Sequence, residues 1–550
     1  MTVSAVHTLA TDYFEYLARC FPVMCASDEF HFLPRAQAAR RYYEELDDLG
    51  RQKIQEVVAA LRRFKEDFRA VRTQERDLEA HLDKVLLLGS VAGVLLEFAE
   101  NRSWQHNPLL YLKIAFIGLD HALTKPAAGS DERRSRVESR LSTIPRLLHQ
   151  GKENIKSVPA SYHQAALLMI GDCRAYLEEI SAGLAAEGGR TLQQRIEAVA
   201  ASLAEFASFL TSLSPVPDKG FSGMAVERTL REHFLSNRSL PEVFQIAQEE
   251  WRENLEELER LRHRVDSSKS WQSLYQDYFP AAAEERDTIT LYRQEVESLQ
   301  QFFLEQGLGL GMADGGLLVC ETPRYLKSVR SAASFAAAFS DDAAEKDYFY
   351  ITTTLPGNRA AAATDLLRKR LHKEFKFLTA HETIPGHYLL DAMRRTLANP
   401  VRRQIESPLF YEGWAYYAES LLGDYGYVES SLDKLVDCKR RLWRAARCQI
   451  DVGLATGLLS FEQGVQLLTT TGFSPEEAVN QIHRFRLNPG YQLCYTLGRF
   501  EIMKLKEKYG RRFGNAAFHH NMLTGGELPF HLIDKRFASM DGRGKEHMEE

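Results

Sequence analysis

Cysteine is scarce and poorly arranged for chemistry. The 550 residues hold seven, Cys20, Cys25, Cys173, Cys320, Cys438, Cys448 and Cys494, an odd number with no C-x-x-C pair. A disulfide framework and a thiolate zinc site are therefore set aside, and reduced thiols in a cytoplasmic protein are expected. Long apolar runs are missing too. The longest, Val85 to Phe98, is interrupted by Glu97 and falls short of the ~20 residues a bilayer span needs, so a buried core helix is expected there. The opening stretch MTVSAVHTLATDYFEYLARC has no basic start leading into an unbroken apolar segment, and no secretory signal is expected. Nor does charge of one sign dominate. Lys and Arg number 69 against 75 Asp and Glu, a net −6, which excludes a bulk-charge nucleic-acid binder. At 44% hydrophobic and 26% charged, the chain has the composition of a globular protein with a large core.

Strand signals are few. Gly316–Cys320 and Tyr348–Thr354 are rich in aliphatic, aromatic or β-branched residues, enough for a small hairpin or edge ribbon whose unpaired backbone could hold an extended peptide. Most of the rest has helical periodicity. RQKIQEVVAALRRFKEDFRAVRTQERDLEAHL, TLQQRIEAVAASLAEFASFL and QIAQEEWRENLEELERLRHRV place apolar residues three and four apart with charges between. Thr191, after Gly188-Gly189, suits a helix N-cap. Breakers fall at Ser214–Pro217, Ser239–Pro241 and Gly307–Gly316. No period of 20–50 residues recurs, so a solenoid is excluded. The expected fold is mainly all-α. Residues 1–537 are expected to form one catalytic unit of two helical lobes, about 1–225 and 226–537, followed by a flexible tail over 538–550.

Two motifs mimic function. Gly307-x-Gly309-x-Gly311 resembles part of a dinucleotide loop, but it follows a helix and precedes a strand, the reverse of the order that aims helix-start amides at a pyrophosphate. His519-His520 diverge by ~100° on a helix and are expected to be a surface pair.

The informative segment is Phe377-Leu378-Thr379-Ala380-His381-Glu382-Thr383-Ile384-Pro385-Gly386-His387. Two histidines flanking a glutamate are how zinc hydrolases draw two imidazole ligands and a general base from one stretch of chain. In H-E-x-x-H the histidines lie four apart; here they lie six apart. On a regular helix that spacing leaves the side chains ~120° apart and ~9 Å along the axis, too far to share an ion. Pro385 lacks the N–H that would bond the His381 carbonyl, and Gly386 tolerates unusual backbone angles. The motif therefore requires a break or bulge at Pro385-Gly386 that absorbs two residues and returns His387 to His381.

A third ligand should come from Tyr411-Glu412-Gly413-Trp414-Ala415-Tyr416-Tyr417-Ala418-Glu419, which follows Pro408 and reads as a helix. Glu412 is the expected ligand. Glu419, seven residues on and on the same face, is expected to orient a histidine.

HExxPGH, then EGWAxYxE, then an R-F-x-x-x-P-G-x-x-x-x-Y-x-x-G element together resemble the bacterial domain-of-unknown-function 885 family, itself similar to helical gluzincin metallopeptidases such as thermostable carboxypeptidases. The resemblance spans about Phe21 to Lys535. It implies zinc held by His381, His387 and Glu412, with Glu382 as base. It further implies that Arg484, Tyr491 and Tyr495 face the substrate, on an elongated α-helical body with a deep active-site cleft. The chain departs from the family pattern at Leu390, Tyr491 and Ala455, where Gln, Gln and His are expected. The metal core is intact and the substrate-facing positions differ.

Each residue also has a plainer reading. The two histidines could sit in an ordinary core, though the intervening Glu, the Pro-Gly break and the downstream E-G-W argue otherwise. Arg484 and Arg447 could be structural ion pairs, with Asp451 one turn after Arg447, or could bind a substrate carboxylate, a role for which Arg484 is favoured. Trp414, Tyr416 and Tyr417 are expected in the core. Lys439-Arg440-Arg441, with Arg444 and Arg447, is expected to be a solvated face. The function expected is hydrolysis of a small peptide or peptide-like amide. Glu382 would serve as base and Tyr495 as oxyanion donor, with no nucleic-acid or membrane partner. The alternatives are a helical binding or scaffold protein with structural zinc or none, and an amide hydrolase of a specialised metabolite.

Overall fold

A computed structural model describes every residue except 1–4, 74–76, 219–221, 285, 309–315, 340, 341, 343, 356–359 and 547–550. The chain is mainly α-helical with one small sheet. It divides into two compact units, one comprising Met1–Thr73, Ser90–Lys219 and Gly315–Thr364, the other Gln74–Gly89, Gly220–Asp314 and Asp365–Glu550.

In the first unit, α1 (Pro108–Thr124) starts with Pro108 behind an Asn107 cap and is buried on nearly every face, as an all-round apolar helix must be. It packs against α2 (Ser130–Asn154) and α3 (Ala160–Ser212). α3 is a single helix of 53 residues, so Thr191 lies within a helix and does not start one. Glycine in a helix interior costs only ~1 kcal/mol. The buried stripes on both sides, Leu177 and Leu184 before Gly188 and Leu192, Ile196, Val199 and Leu203 after it, favour continuation.

The sheet has three strands, β1 (Leu317–Glu321), β2 (Ala333–Ala336) and β3 (Asp347–Ile351), in the order β1-β3-β2. β1 runs parallel to β3, with Leu317 opposite Asp347, and β2 antiparallel to it, so the expected small ribbon is a three-stranded mixed sheet. β2, Ala-Ser-Phe-Ala, carries almost no β propensity and is specified by pairing and by burial of Ala333 and Phe335. Gly309 and Gly311 lie outside the described residues.

Among the described residues no helix is long and apolar enough to cross a membrane, and all seven cysteines are unpaired. The last helix, Phe530–Glu546, continues past Ala538, where fraying was expected, anchored by Phe537 against Tyr509, Phe513 and Phe518.

The second unit carries the motifs. α4 (Leu240–Val265) begins with a Ser239/Glu242 capping box. The motif helices are α5 (Ala360–Glu382), α6 (His387–Arg395) and α7 (Pro408–Asp424), followed by α8 (Ser431–Thr456), α9 (Pro475–Phe485) and α10 (Leu493–Phe513). α8 packs on α4 through Leu258, Leu261, Leu435, Cys438 and Leu442, and on α9 through Ala446, Ile450, Ala478 and Ile482. α7 and α10 cross almost backbone to backbone. A Cβ on Gly413 would lie 2.5 Å from Gly498 Cα, so the Gly of E-G-W permits the crossing that sets the start of α10 beside Glu412.

Candidate metal centre

α5 ends where the motif demands. Thr383 still donates its N–H to the Thr379 carbonyl, the Ile384–Pro385 peptide is cis, and a new helix starts at His387. The interruption is thus a full break between two helices, where a bulge within one was the alternative. Gly386 is pressed against the end of α5: a Cβ there would lie 1.9 Å from the His381 carbonyl oxygen. Trp414 Nε1 donates to the Pro385 carbonyl at 2.9 Å, tying the break to α7. The result places the two imidazoles 4.8 Å apart, centroid to centroid, with planes at 82°.

Glu412 completes the corner. The ligand atoms of His381, His387 and Glu412 all lie within 4.8 Å of one another. Glu412 Oε2 is 3.4 Å from His381 Nε2 and 3.6 Å from His387 Nε2. Tetrahedral zinc with ligands at ~2.0–2.1 Å separates them by roughly 3.3 Å, so the two edges match a metal polyhedron. Glu412 Oε2 is also buried without a hydrogen-bond partner, an orphaned acceptor that a cation would satisfy. Its other oxygen, Oε1, accepts from the hydroxyls of Tyr491 at 2.6 Å and Tyr495 at 2.8 Å. Burial alone would raise the Glu412 pKa, but the two imidazoles beside it hold it well below the usual carboxylate range. Burial likewise pushes His381 down, and Glu412 and Glu419 overcome it, raising the imidazole to about 9.

His381 Nδ1 lies 2.9 Å from Glu419 Oε1, the partner that fixes which ring nitrogen faces the ion. Glu419 is clamped in turn. Arg440 Nε and Nη2 each approach it at 3.1 Å, and Arg444 bridges both its oxygens. Arg440 Nη1 continues to Glu374 Oε2 at 2.7 Å, and Glu374 Oε1 receives the Tyr275 hydroxyl and Lys439. Lys439, Arg440 and Arg444 are therefore buried, not the solvated face expected from their run of charge. Their carboxylates come from α5 and α7, beyond the reach of a local reading. His387 is held differently: its Nδ1 has no hydrogen-bond partner among the described residues, and its ring stacks on Tyr411 at 4.0 Å. Tyr411 donates to Asp391 at 2.8 Å.

Glu419→Gln should weaken zinc binding by ~10–100-fold, the usual effect of losing an outer partner of a metal-binding histidine. Competition against a chromophoric chelator measures it. Unchanged affinity would disconnect Glu419 from the metal corner.

The remaining candidates fall in different places. Glu382 is buried, and its charge acts on His381. Tyr491 and Tyr495 reach the corner, but through Glu412. Arg484 is exposed on α9. Asp451 does not pair with Arg447: its carboxylate accepts from the backbone N–H groups of Gly490, Gln492 and Leu493. Leu390 is buried in α6, and Ala455 lies near the end of α8 with its carbonyl against Gly223. Trp414, Tyr416 and Tyr417 are fully buried. His519 is buried too, 2.7 Å from the Tyr417 hydroxyl, and only His520 is exposed, so the pair is split between core and surface.

No curated protein matches the sequence. Among solved structures, a candidate lipoprotein of unknown function from Shewanella oneidensis superposes with TM-score 0.74 at 18% identity, over 98% of this chain and 100% of that one. A candidate lipoprotein from Colwellia psychrerythraea does so with TM-score 0.74 at 16% identity, over 97% and 98%. These likenesses establish the fold. The family described as "Bacterial protein of unknown function (DUF885)" matches residues 34–537, nearly the whole chain, and the chain belongs to that family.

Proposed function

We propose that this chain is a zinc-dependent hydrolase of a peptide or peptide-like amide, with the ion held by His381, His387 and Glu412. The observation that carries the proposal is the orphaned Glu412 Oε2, facing two imidazole nitrogens at 3.4 and 3.6 Å. Three protein ligands leave a position open for chemistry, whereas structural zinc sites are closed by four. When bound, the ion supplies Lewis acidity, polarising a carbonyl and acidifying water.

The protein's own groups do the rest. Glu382, next in sequence to a ligand, takes a proton from the attacking water and returns it to the leaving amine. Tyr491 and Tyr495 hold Glu412 Oε1 and so turn Oε2 toward the histidines. Glu419, fixed by Arg440 and Arg444, directs His381 Nε2 inward. The indole of Trp414 steadies the Pro385 break on which the spacing of the histidines depends.

The purified protein should carry close to one zinc ion per chain by elemental analysis. Chelation should abolish cleavage of a mixed peptide library, and added zinc should restore it. Cleavage indifferent to the chelator would overturn the zinc mechanism, and a metal-free protein that takes up no zinc and cleaves nothing would overturn the proposal in favour of a helical scaffold.

A further inference from the structure

The first unit carries a cluster of aromatic and acidic side chains that the metal chemistry does not use. Asp120, near the end of α1, is half-buried, and its Oδ1 accepts the Tyr176 hydroxyl of α3 at 3.0 Å. Tyr176 packs on Tyr325 with ring centroids 4.9 Å apart. Phe116, one turn before Asp120, backs both rings at 6.5 and 6.4 Å. α3 also fixes the turn that carries Tyr325, because Asp172, one turn before Tyr176, accepts the Ser328 N–H at 2.9 Å.

The sheet adjoins this turn. Arg330, whose N–H bonds the Leu326 carbonyl, lies 5.3 Å over the Tyr350 ring and donates to Ser334 of β2 at 2.7 Å. Alternation along the strands puts Tyr348 and Tyr350 of β3 on one face with their partners Leu318 and Cys320 of β1. The opposite face, with Val319, Phe349 and Ile351, is core. Tyr348 and Tyr350 are half-buried and stacked 5.4 Å apart with planes at 6°, and Leu318 beside them is 44% exposed. The sheet thus offers solvent a flat tyrosine platform. Burial, and after it the Asp120 charge, raises the hydroxyl pKa of both tyrosines.

The cations around this platform already have acids. Arg330 pairs with Asp28 at 2.8 Å and Glu29 at 3.1 Å, and Glu29 also takes Lys113 at 2.6 Å. Lys125, whose charge reaches Asp120, is paired with Glu345. No cation stands within ion-pair distance of Asp120 among the described residues, and burial pushes its pKa up to about 6. A partly desolvated carboxylate beside electron-rich ring faces suits a small organic cation.

We propose that Asp120 and the Tyr348–Tyr350 platform bind an alkylammonium group, as carried by a lysine side chain, a free amino terminus or a simple amine. The carboxylate accepts the ammonium N–H groups, and the ring faces take the charge and the attached methylenes. Every residue of the site belongs to the first unit, so the site stands whether or not the metal corner is a hydrolase.

Calorimetric titration of the full-length, metal-free chain at neutral pH tests the proposal. The probes are n-butylamine, Nα-acetyl-lysine amide and trialanine amide, each against the same molecule with its amine acetylated. The charged amines should bind ~10–100-fold more tightly than the acetylated forms, the worth of a charged hydrogen bond with cation–π support, and the tightest binder identifies the source. Asp120→Asn should lower amine affinity by ~10-fold or more. Tyr350→Leu should lower it by a few fold, and Tyr350→Phe, which keeps the ring, should not. Zinc uptake should stay at the parent level in all three. Equal binding of amines and acetylated forms, or binding of neither, overturns the proposal before any variant is made. A folded Asp120→Asn protein that binds amines like its parent does so too. Amine binding that appears only after zinc is loaded puts the amine at the metal corner and is equally fatal.

Discussion

A zinc-loaded Glu382→Gln protein is expected to keep its metal and lose amide hydrolysis by ~10²–10⁴-fold, the range a positioned general base contributes. The substitution is nearly isosteric at a buried position, so packing should survive. It removes the carboxylate proposed to take the water proton and leaves the three proposed ligands unchanged. Because the proposed ligands are His381, His387 and Glu412 and not Glu382, elemental analysis should show the same metal content as the parent. The loss should fall on kcat with little change in KM, as for an interaction used in the transition state. Full turnover with Gln at 382 would remove this residue from the reaction and, with it, the proposed mechanism.

Gly386→Ala should be as damaging by a different route. The added methyl would sit 1.9 Å from the His381 carbonyl oxygen and 2.4 Å from that of Ala380, both backbone atoms that no side-chain rotation can move aside. α6 would have to shift at its first residue, His387, taking one imidazole away from Glu412 Oε2. Zinc affinity should drop by more than the ~10–100-fold typical of losing an outer partner, because here a ligand itself is displaced. Titration against a competing chelator reads the affinity, and circular dichroism checks that the helices persist. Zinc binding at the parent affinity would mean that the close approach of Gly386 to α5 is dispensable.

Much of the metal corner was legible in the sequence because its constraint is local. His381 and His387, six positions apart, cannot meet on one helix, Pro385 and Gly386 mark where the helix must fail, and the chain breaks there. Glu412 and Glu419 were legible as a pair because seven residues make nearly two turns, and one faces both imidazoles while the other backs His381. What could not be read depended on partners distant in the chain. Lys439, Arg440 and Arg444 look solvated until Glu374 and Glu419 are brought in from α5 and α7. Arg447 seemed paired with Asp451 at helical spacing, but that carboxylate caps the turn at Gly490–Leu493 instead. The same limit applies to the fold. β2 exists because β3 offers it an edge, and α3 passes through Gly188-Gly189 because the stripes on either side are buried.

The two hydroxyls on Glu412 Oε1 have a consequence for ion choice. With that oxygen occupied twice over, the carboxylate offers an incoming cation a single point of attachment beside two nitrogens. Calcium seeks six to eight oxygen donors, and magnesium a near-octahedral oxygen shell that keeps much of its water; neither is well served here. Nitrogen-rich, low-coordinate surroundings favour the later first-row ions, so millimolar alkaline-earth salts should compete poorly for the place that micromolar zinc can fill.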